Sequence, residues 1–196
     1  MVIVFTDRRQ ARRPLPEVVA AAVEGGARTV VLREKDLPDG ERADLAARLY
    51  EVIAPAGGRL LLAGREAGWA DRAGFAVADG QHLAAADPWP DAPRGMVGRS
   101  CHDAGELTRA AAEGCSYATL SPVFPSRSKP GYGPPLGLDR LRGLCAHAGL
   151  PVYALGGVES ADRAARCRAA GAAGVAVMGA VMRADDPAAV VKELMP

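Results

Sequence analysis

The sequence predicts an α/β protein that folds as a single, compact (β/α)8 barrel over residues 1–196. Short β-branched runs alternate with Ala-rich amphipathic stretches, and this alternation repeats eight times. Several of the runs are apolar at consecutive positions, as strands buried on both faces of a parallel sheet must be. A chain of 196 residues has room for one domain of this kind. An open, doubly wound sheet with the same order of elements is the alternative.

The predicted strands are short and rich in Val, Ile and Leu. In chain order they are 2–6, 29–33, 59–63, 75–83, 96–101, 117–123, 152–156 and 174–179. The predicted helices have apolar residues spaced three and four apart, which buries one face. They are 15–24, 40–54, 104–113, 138–147, 160–170 and 187–194. Asp103 and Ser160 are predicted N-caps, and Pro187 suits a first helical turn.

Composition and charge exclude several classes of function. With 49% hydrophobic and 24% charged residues, the chain is neither disordered nor fibrous. Its formal net charge of +1 provides no overall field, so we expect no nucleic acid and no membrane as partner. The start of the chain lacks the pattern of a secretory signal, and the four cysteines lie far apart in sequence. These features predict reduced thiols and a cytoplasmic protein, and they leave open whether it is a homo-oligomer.

Two cations follow the second predicted strand, where the chain reads Leu-Arg-Glu-Lys-Asp. Strand alternation points Arg33 and Lys35 the same way, and together they predict a local anion site. The alternative is a solvated loop with internal ion pairs.

A hydroxyl and an imidazole lie at the end of the fifth predicted strand. Ser100 and His102 share one face there, where they can donate hydrogen bonds to a substrate, and His102 can move a proton. The alternative is that both side chains only satisfy neighbouring backbone groups.

The segment 121–135 is too long and too basic for a minimal connection. Its hydroxyls at Ser126 and Ser128 and its cations at Arg127 and Lys129 predict a lid that closes over a phosphorylated ligand. The alternative is a plain surface loop.

Glycines follow the last two predicted strands, at Gly156 and Gly157 and in the step from Met178 to Gly179. Glycine lets backbone amides approach a ligand closely, and barrels commonly bind phosphate between these two loops. Their joint position predicts a phosphate cradle.

Five segments, taken together, resemble the thiamine phosphate synthase and thiazole tautomerase family. They read LREKD at 32–36, DGQHL at 79–83, GRSCH at 98–102, PVFPSRSKP at 122–130 and GGV at 156–158. The resemblance runs in order along nearly the whole chain. It implies a (β/α)8 barrel and a transferase that joins hydroxymethylpyrimidine diphosphate to hydroxyethylthiazole phosphate, releasing diphosphate with the help of magnesium.

The resemblance also implies roles for individual residues. Positions that match the family's diphosphate ligands are Arg33, Lys35, Ser100 and Lys129. Asp87 matches a magnesium ligand, and Ser126 and Ser128 match lid hydroxyls near the thiazole phosphate. Gly157 and Gly179 match the backbone cradle of that phosphate. His82 lies in the DGQHL segment and is a further predicted substrate contact.

The chain departs from the synthase pattern at several positions. Ala63 and Gly64 stand where the pattern has Asn-Asp, which removes one of two magnesium carboxylates, and Val31 stands where glutamine is usual. Tautomerases typically lack that aspartate, but they place a catalytic histidine where this chain has Pro122, so His102 or His82 would have to substitute for it. We therefore predict a synthase. A tautomerase acting on carboxythiazole phosphate and a non-catalytic, regulatory binder of thiazole or thiamine phosphate are the alternatives.

Overall fold

The computed structural model describes residues 1–64, 77–126 and 134–196. Its eight strands are parallel and close into a barrel in chain order. They are β1 (Val2–Phe5), β2 (Thr29–Leu32), β3 (Arg59–Ala63), β4 (Gly80–Leu83), β5 (Met96–Cys101), β6 (Tyr117–Leu120), β7 (Val152–Leu155) and β8 (Gly174–Val177). Pairing of β1 with both β2 and β8 closes the barrel. The predicted (β/α)8 fold is confirmed, and the open sheet is excluded.

Helices on the outside of the barrel follow most of the strands, whereas residues 84–95 between β4 and β5 form no helix. Those in the described residues are α1 (Leu15–Glu24), α2 (Asp39–Ile53), α3 (Ala104–Ala112), α4 (Gly137–Ala146), α5 (Ala161–Ala169), α6 (Gly179–Met182) and α7 (Pro187–Leu194), with a short 3-10 turn at Ala54–Ala56. The predicted caps are confirmed, because the Asp103 and Ser160 side chains accept hydrogen bonds from the third residues of α3 and α5. No helix within the described ranges is long and apolar enough to cross a membrane.

Alternate side chains of each strand point to opposite faces, which divides the buried apolar residues into two clusters. The larger cluster packs between the strands and the helices. The smaller one fills the inside of the barrel and consists of Ile3, Phe5, Val31, Leu61, Ala63, Tyr117, Tyr153 and Ala176. Burial on both faces explains the consecutive apolar positions of the strands. Three of the four cysteines are buried and all four are free, as predicted.

The structure shifts three strand ends by two residues or more, and it ends β1, β2 and β7 one residue earlier than predicted. β6 ends at Leu120 rather than at residue 123, because Pro122 has no N–H to donate to a ladder. β8 ends at Val177, since Gly179 begins the four-residue helix α6, which is too short to show helical periodicity in the sequence. β4 begins at Gly80, and the predicted start of that strand lies outside the described residues.

Candidate active site

A cavity of about 960 Å³ opens at the carboxyl ends of the strands. Because the carboxyl ends of parallel strands meet at one rim, residues far apart in sequence converge there. The predicted site residues that line it are Arg33, Ser100, His102, Ser126, Gly156, Gly157, Met178 and Gly179. These residues, which lie far apart in sequence, thus meet around one cavity.

Arg33 follows β2 and reaches across the end of β1 toward the loop after β8. Its backbone N–H donates to Thr6 Oγ1 at 2.9 Å, and its Nη1 lies 2.9 Å from Met178 Sδ. The Asp7 carboxylate lies 3.9 Å from the guanidinium. Arg33 is thus anchored at its backbone and places a planar cation in the cavity, where a phosphate can be bound by two N–H groups.

The two acidic residues that flank Lys35 in sequence are held by Arg8. The Arg8 guanidinium donates to Glu34 Oε2 at 3.0 Å and to Asp36 Oδ2 at 2.5 Å, and it holds the pKa of Asp36 well below its ordinary value. Glu34 and Asp36 thus pair with Arg8 of the loop after β1 and not with Arg33 or Lys35 of their own loop. Lys35 is not one of the described residues that line the cavity. Its side chain lies beside Gly64, at the end of β3.

Ser100 lies on the inner face of β5 and contacts a buried histidine. His82 Nε2 lies 2.9 Å from Ser100 Oγ, and His82 Nδ1 lies 2.9 Å from the Tyr117 hydroxyl. Burial, with Lys35, Arg99 and Arg33 nearby, lowers the pKa of His82 to about 3. His82 therefore lies beneath the cavity as a neutral ring, in contact with the site through Ser100 rather than lining it.

His102 lines the cavity two residues after Ser100, just beyond the end of β5. Its Nδ1 lies 2.7 Å from the Ser121 carbonyl oxygen. A carbonyl only accepts hydrogen bonds, so Nδ1 carries the proton and the lone pair of the neutral ring is on Nε2. The backbone N–H of His102 donates to Glu106 Oε2 at 2.6 Å, which fixes the residue at the start of α3.

The loops after β6 and β7 pack closely on one another. Gly157 has a φ of 66°, and a Cβ atom there would lie 2.4 Å from the Pro125 carbonyl oxygen, so only glycine fits. Arg163 of α5 donates to the Gly157 carbonyl at 2.7 Å, and its guanidinium lies 5.0 Å from the centre of the Phe124 ring. The glycine predicted for a phosphate cradle also allows these two loops to meet.

Arg183 is a further cation of this cavity, and no sequence pattern indicated it. It follows α6, and its guanidinium folds back over Gly179, in the space that a Cβ atom of that glycine would fill. The side chain donates to Gln10 and lies 3.7 Å from Glu159, so residues from the loops after β1 and β7 hold it in place. Arg183 directly follows the four-residue helix α6, which is too short to be predicted from sequence periodicity. Without that helix, nothing in the sequence distinguishes Arg183 from the other arginines of the chain.

Comparison with known proteins supports the resemblance. The family model described as thiamine monophosphate synthase matches residues 2–181. A thiamine-phosphate synthase of Roseiflexus sp. is 36% identical, with 99% of this chain and 83% of the relative covered. That of Moorella thermoacetica is 34% identical, with 99% and 93% covered. Among solved structures, the thiamine phosphate pyrophosphorylase of Pyrococcus furiosus superposes with a TM-score of 0.84 at 30% identity, covering 98% of this chain and 92% of that one.

The chain belongs to the thiamine monophosphate synthase family. The family match spans every strand of the barrel and all of the predicted cavity residues. Arg183 lies just beyond it.

Membership in the thiamine monophosphate synthase family implies magnesium, and the carboxylate predicted to bind it is Asp87. Its Oδ2 accepts the backbone N–H of Ala84 at 2.7 Å, which closes a tight turn after β4. No group of three or more His, Cys, Asp or Glu side chains within 1–64, 77–126 and 134–196 is arranged to hold a metal ion. The described residues thus do not form a ready magnesium site, and magnesium binding stays a prediction.

Arg99 organises the turn that contains Asp87. Its buried guanidinium donates to the carbonyls of Ala84, Ala85 and Asp87, at 3.1, 3.2 and 2.6 Å, and to Glu113 Oε2 at 2.6 Å. The first two of these residues line the cavity, so Arg99 shapes one wall from behind. The sequence analysis assigned it no role.

Three of the four predicted lid residues lie outside the described residues, namely Arg127, Ser128 and Lys129. Their roles as lid hydroxyl and diphosphate ligand stay predictions. Ser126 is described and lines the cavity.

Proposed function

We propose that the protein is a thiamine-phosphate synthase, which joins hydroxymethylpyrimidine diphosphate to hydroxyethylthiazole phosphate. The observation that carries this proposal is the distribution of anion-binding groups around one cavity. The loop after β2 supplies Arg33 and the end of β5 supplies Ser100, whereas the loops after β7 and β8 supply Gly157 and Arg183. Two sets of groups match two phosphorylated substrates, and relatives over nearly the whole chain are named for this activity.

The chemistry requires charge neutralisation more than proton transfer. The bond between the pyrimidine methylene carbon and the diphosphate oxygen breaks, and both electrons leave with diphosphate. The thiazole nitrogen then donates its lone pair to the methylene cation and forms the new C–N bond. Arg33 and Ser100 can donate hydrogen bonds to the departing oxygens, and Lys35 and Lys129 add positive charge. Apolar walls at Phe5, Phe124 and Leu155 exclude water, which would otherwise capture the cation.

The thiazole phosphate is assigned to the opposite group of loops. Backbone N–H groups near Gly157 and Gly179 provide neutral donors, and the Arg183 guanidinium provides the charge. Ser126, with Ser128 of the lid, completes this end of the site. The small phosphorylated pyrimidine and thiazole are thus the proposed partners, and the free, mostly buried cysteines suit the cytoplasm as the place of action.

The test is to incubate the purified protein with both substrates, with and without magnesium, and to follow thiamine phosphate and diphosphate together. Equal amounts of the two products support a synthase. Binding of both substrates without product would instead support the non-catalytic binder.

A thiazole tautomerase is a second candidate, favoured by His102. This imidazole lines the cavity and donates Nδ1–H to the Ser121 carbonyl, so Nε2 can accept a proton from a substrate carbon. Pro122, at the position of the tautomerase histidine, lines the same cavity and cannot move a proton. Replacing His102 with Gln should abolish isomerisation of carboxythiazole phosphate while leaving synthase turnover largely intact.

A further inference from the structure

A chain of three polar groups runs through the inside of the barrel and ends at the cavity. It begins at the Tyr117 hydroxyl of β6, passes through the His82 ring of β4 and ends at Ser100 of β5, with 2.9 Å at each of its two contacts. Phe5 packs edge-on against the His82 ring with 4.9 Å between ring centres, so the ring is held from a third side. The order of the groups resembles that of a catalytic triad, in which a histidine activates a serine. Whether His82 can do so depends on which atoms carry the hydrogens.

Hydrogen counting leaves only two arrangements. The low pKa of His82, about 3, keeps the ring neutral, with one N–H. Tyr117, His82 and Ser100 then contribute three polar hydrogens to two contacts. In one arrangement Tyr117 donates to Nδ1, Nε2–H donates to Ser100, and the Ser100 hydrogen is left over. In the other, Ser100 donates to Nε2, Nδ1–H donates to Tyr117, and the Tyr117 hydrogen is left over.

Burial decides between these two arrangements. Tyr117 is 2% exposed, and among the described residues its hydroxyl forms a hydrogen bond only with His82. Its ring lies over Gly98, in space that a side chain there would fill, and meets Tyr153 edge-on. A leftover hydrogen at Tyr117 would therefore be buried without an acceptor, which is costly. Ser100 lines the cavity, where solvent or a ligand can accept its hydrogen.

We propose that Tyr117 and His82 hold the Ser100 hydroxyl as a hydrogen-bond donor aimed into the cavity, so that this position selects a hydrogen-bond acceptor such as an anionic phosphate oxygen. Tyr117 is then a positioning residue, which acts on the ligand only through the tautomer of His82. The same arrangement of hydrogen bonds prevents His82 from activating Ser100 as a nucleophile, because Nε2 already carries the proton. The inference rests on the proposed function only for the identity of the anion as diphosphate.

The first test reads the tautomer of His82 directly. In a long-range ¹H–¹⁵N spectrum of the labelled protein, we expect His82 to show a protonated Nε2 and a bare Nδ1. The protein has three histidines, so variants His102→Gln and His147→Gln assign the signals without touching His82. A protonated Nδ1 on His82 would overturn the proposal, whether or not the protein makes thiamine phosphate.

The second test compares two tyrosines of the same core. Tyr117→Phe removes the hydroxyl that sets the tautomer, whereas Tyr153→Phe removes one that, among the described residues, donates only to Met1 Sδ at 3.8 Å. We expect Tyr117→Phe to lose the single tautomer and to bind inorganic diphosphate roughly 3-fold to 10-fold more weakly, with Tyr153→Phe unchanged. Ser100→Ala, which removes the donor itself, should weaken diphosphate by roughly 10-fold to 100-fold.

The outcomes separate this inference from the proposed function. Identical spectra and diphosphate affinities for the two phenylalanine variants would refute the positioning role. If Nε2 of His82 is protonated but the protein makes no thiamine phosphate, the positioning role of Tyr117 stands and the proposed synthase activity is refuted. If Tyr117→Phe does not fold, the tautomer of the parent protein still decides.

Discussion

The side chain of Lys35 lies against Gly64, so that a Cβ atom built on this glycine would be 3.3 Å from the lysine Nζ. Gly64 has a φ of 109°, a backbone conformation that other residues rarely adopt. The position where the synthase pattern has an aspartate is therefore shaped for glycine, and a cation already lies beside it. A carboxylate placed there would meet Lys35 before it met a metal ion.

We expect Gly64→Asp to destabilise the protein by about 1 kcal/mol or more, because any side chain strains this backbone. The new carboxylate should pair with Lys35 and weaken diphosphate binding, so turnover should not rise. Thermal unfolding and calorimetry with diphosphate measure the two effects. Gly64→Ala is the matched control, since it shares the strain but carries no charge. Higher turnover in the aspartate variant than in the parent would contradict this expectation.

Arg183→Ala should weaken binding of hydroxyethylthiazole phosphate by roughly 10-fold or more, because it removes a charge-assisted contact to phosphate. Arg183→Lys should restore part of the affinity, since lysine keeps the charge but not the paired N–H groups. Calorimetry with the thiazole phosphate measures the effect. Arg166→Ala, on the exposed surface of α5, controls for the loss of one positive charge. Equal affinities of the two alanine variants would remove Arg183 from the site.

Arg99→Met should lower the free energy of unfolding by about 3 kcal/mol, because it removes a fully buried guanidinium that donates to Glu113 and to three half-buried carbonyls. Methionine fills much of the same volume, so the loss reports the hydrogen bonds more than a cavity. Urea unfolding measures the change. Arg109→Met is the control: Arg109 donates to the same Glu113 and to the Ala85 and Asp87 carbonyls, but its side chain is 43% exposed, so the change should cost less than about 1 kcal/mol. Similar losses in both variants would show that the buried contacts of Arg99 contribute little.

The low pKa of His82 predicts a loss of stability in acid. In the unfolded chain the imidazole titrates at its ordinary pKa of 6.5, whereas in the folded protein it titrates at about 3. Between these values the unfolded state binds a proton that the folded state does not, so stability falls as the pH falls from about 6.5 toward 3. Melting temperatures across this range should show a flatter profile for His82→Gln, but not for His147→Gln, whose ring is exposed. Parallel profiles for all three proteins would contradict the assignment.

Magnesium should bind negligibly to the protein alone and clearly in the presence of diphosphate. Asp87 Oδ2 is engaged with the Ala84 N–H, so the ion needs the oxygens of diphosphate as further ligands. The two affinities should then rise together by the same factor. Calorimetric titration of magnesium with and without diphosphate measures this coupling, and Asp87→Asn should reduce it. Tight binding of magnesium to the protein without diphosphate would refute the prediction.

Patterns local in sequence were enough to predict much of the protein. Apolar periodicity identified the strands and most helices, because burial on one or two faces imposes a repeat on neighbouring residues. Placement at strand ends then brought Arg33, Ser100 and Gly157 to one rim, since parallel strands in a barrel all end on the same side. The family segments predicted the substrate class in the same way, because each is a short stretch of sequence at or next to the end of a strand.

Other features depend on contacts between residues distant in sequence, which no local pattern shows. Nothing in the sequence indicates that Arg183 turns back over Gly179, that Lys35 lies against Gly64, or that Tyr117 reaches His82 across the barrel. The sequence determined which residue types stand at the rim, because alternation and strand ends follow from neighbouring residues. Only the tertiary structure decided which way their hydrogen bonds point, because donors and acceptors from different strands meet only when the barrel closes and water is removed from between them.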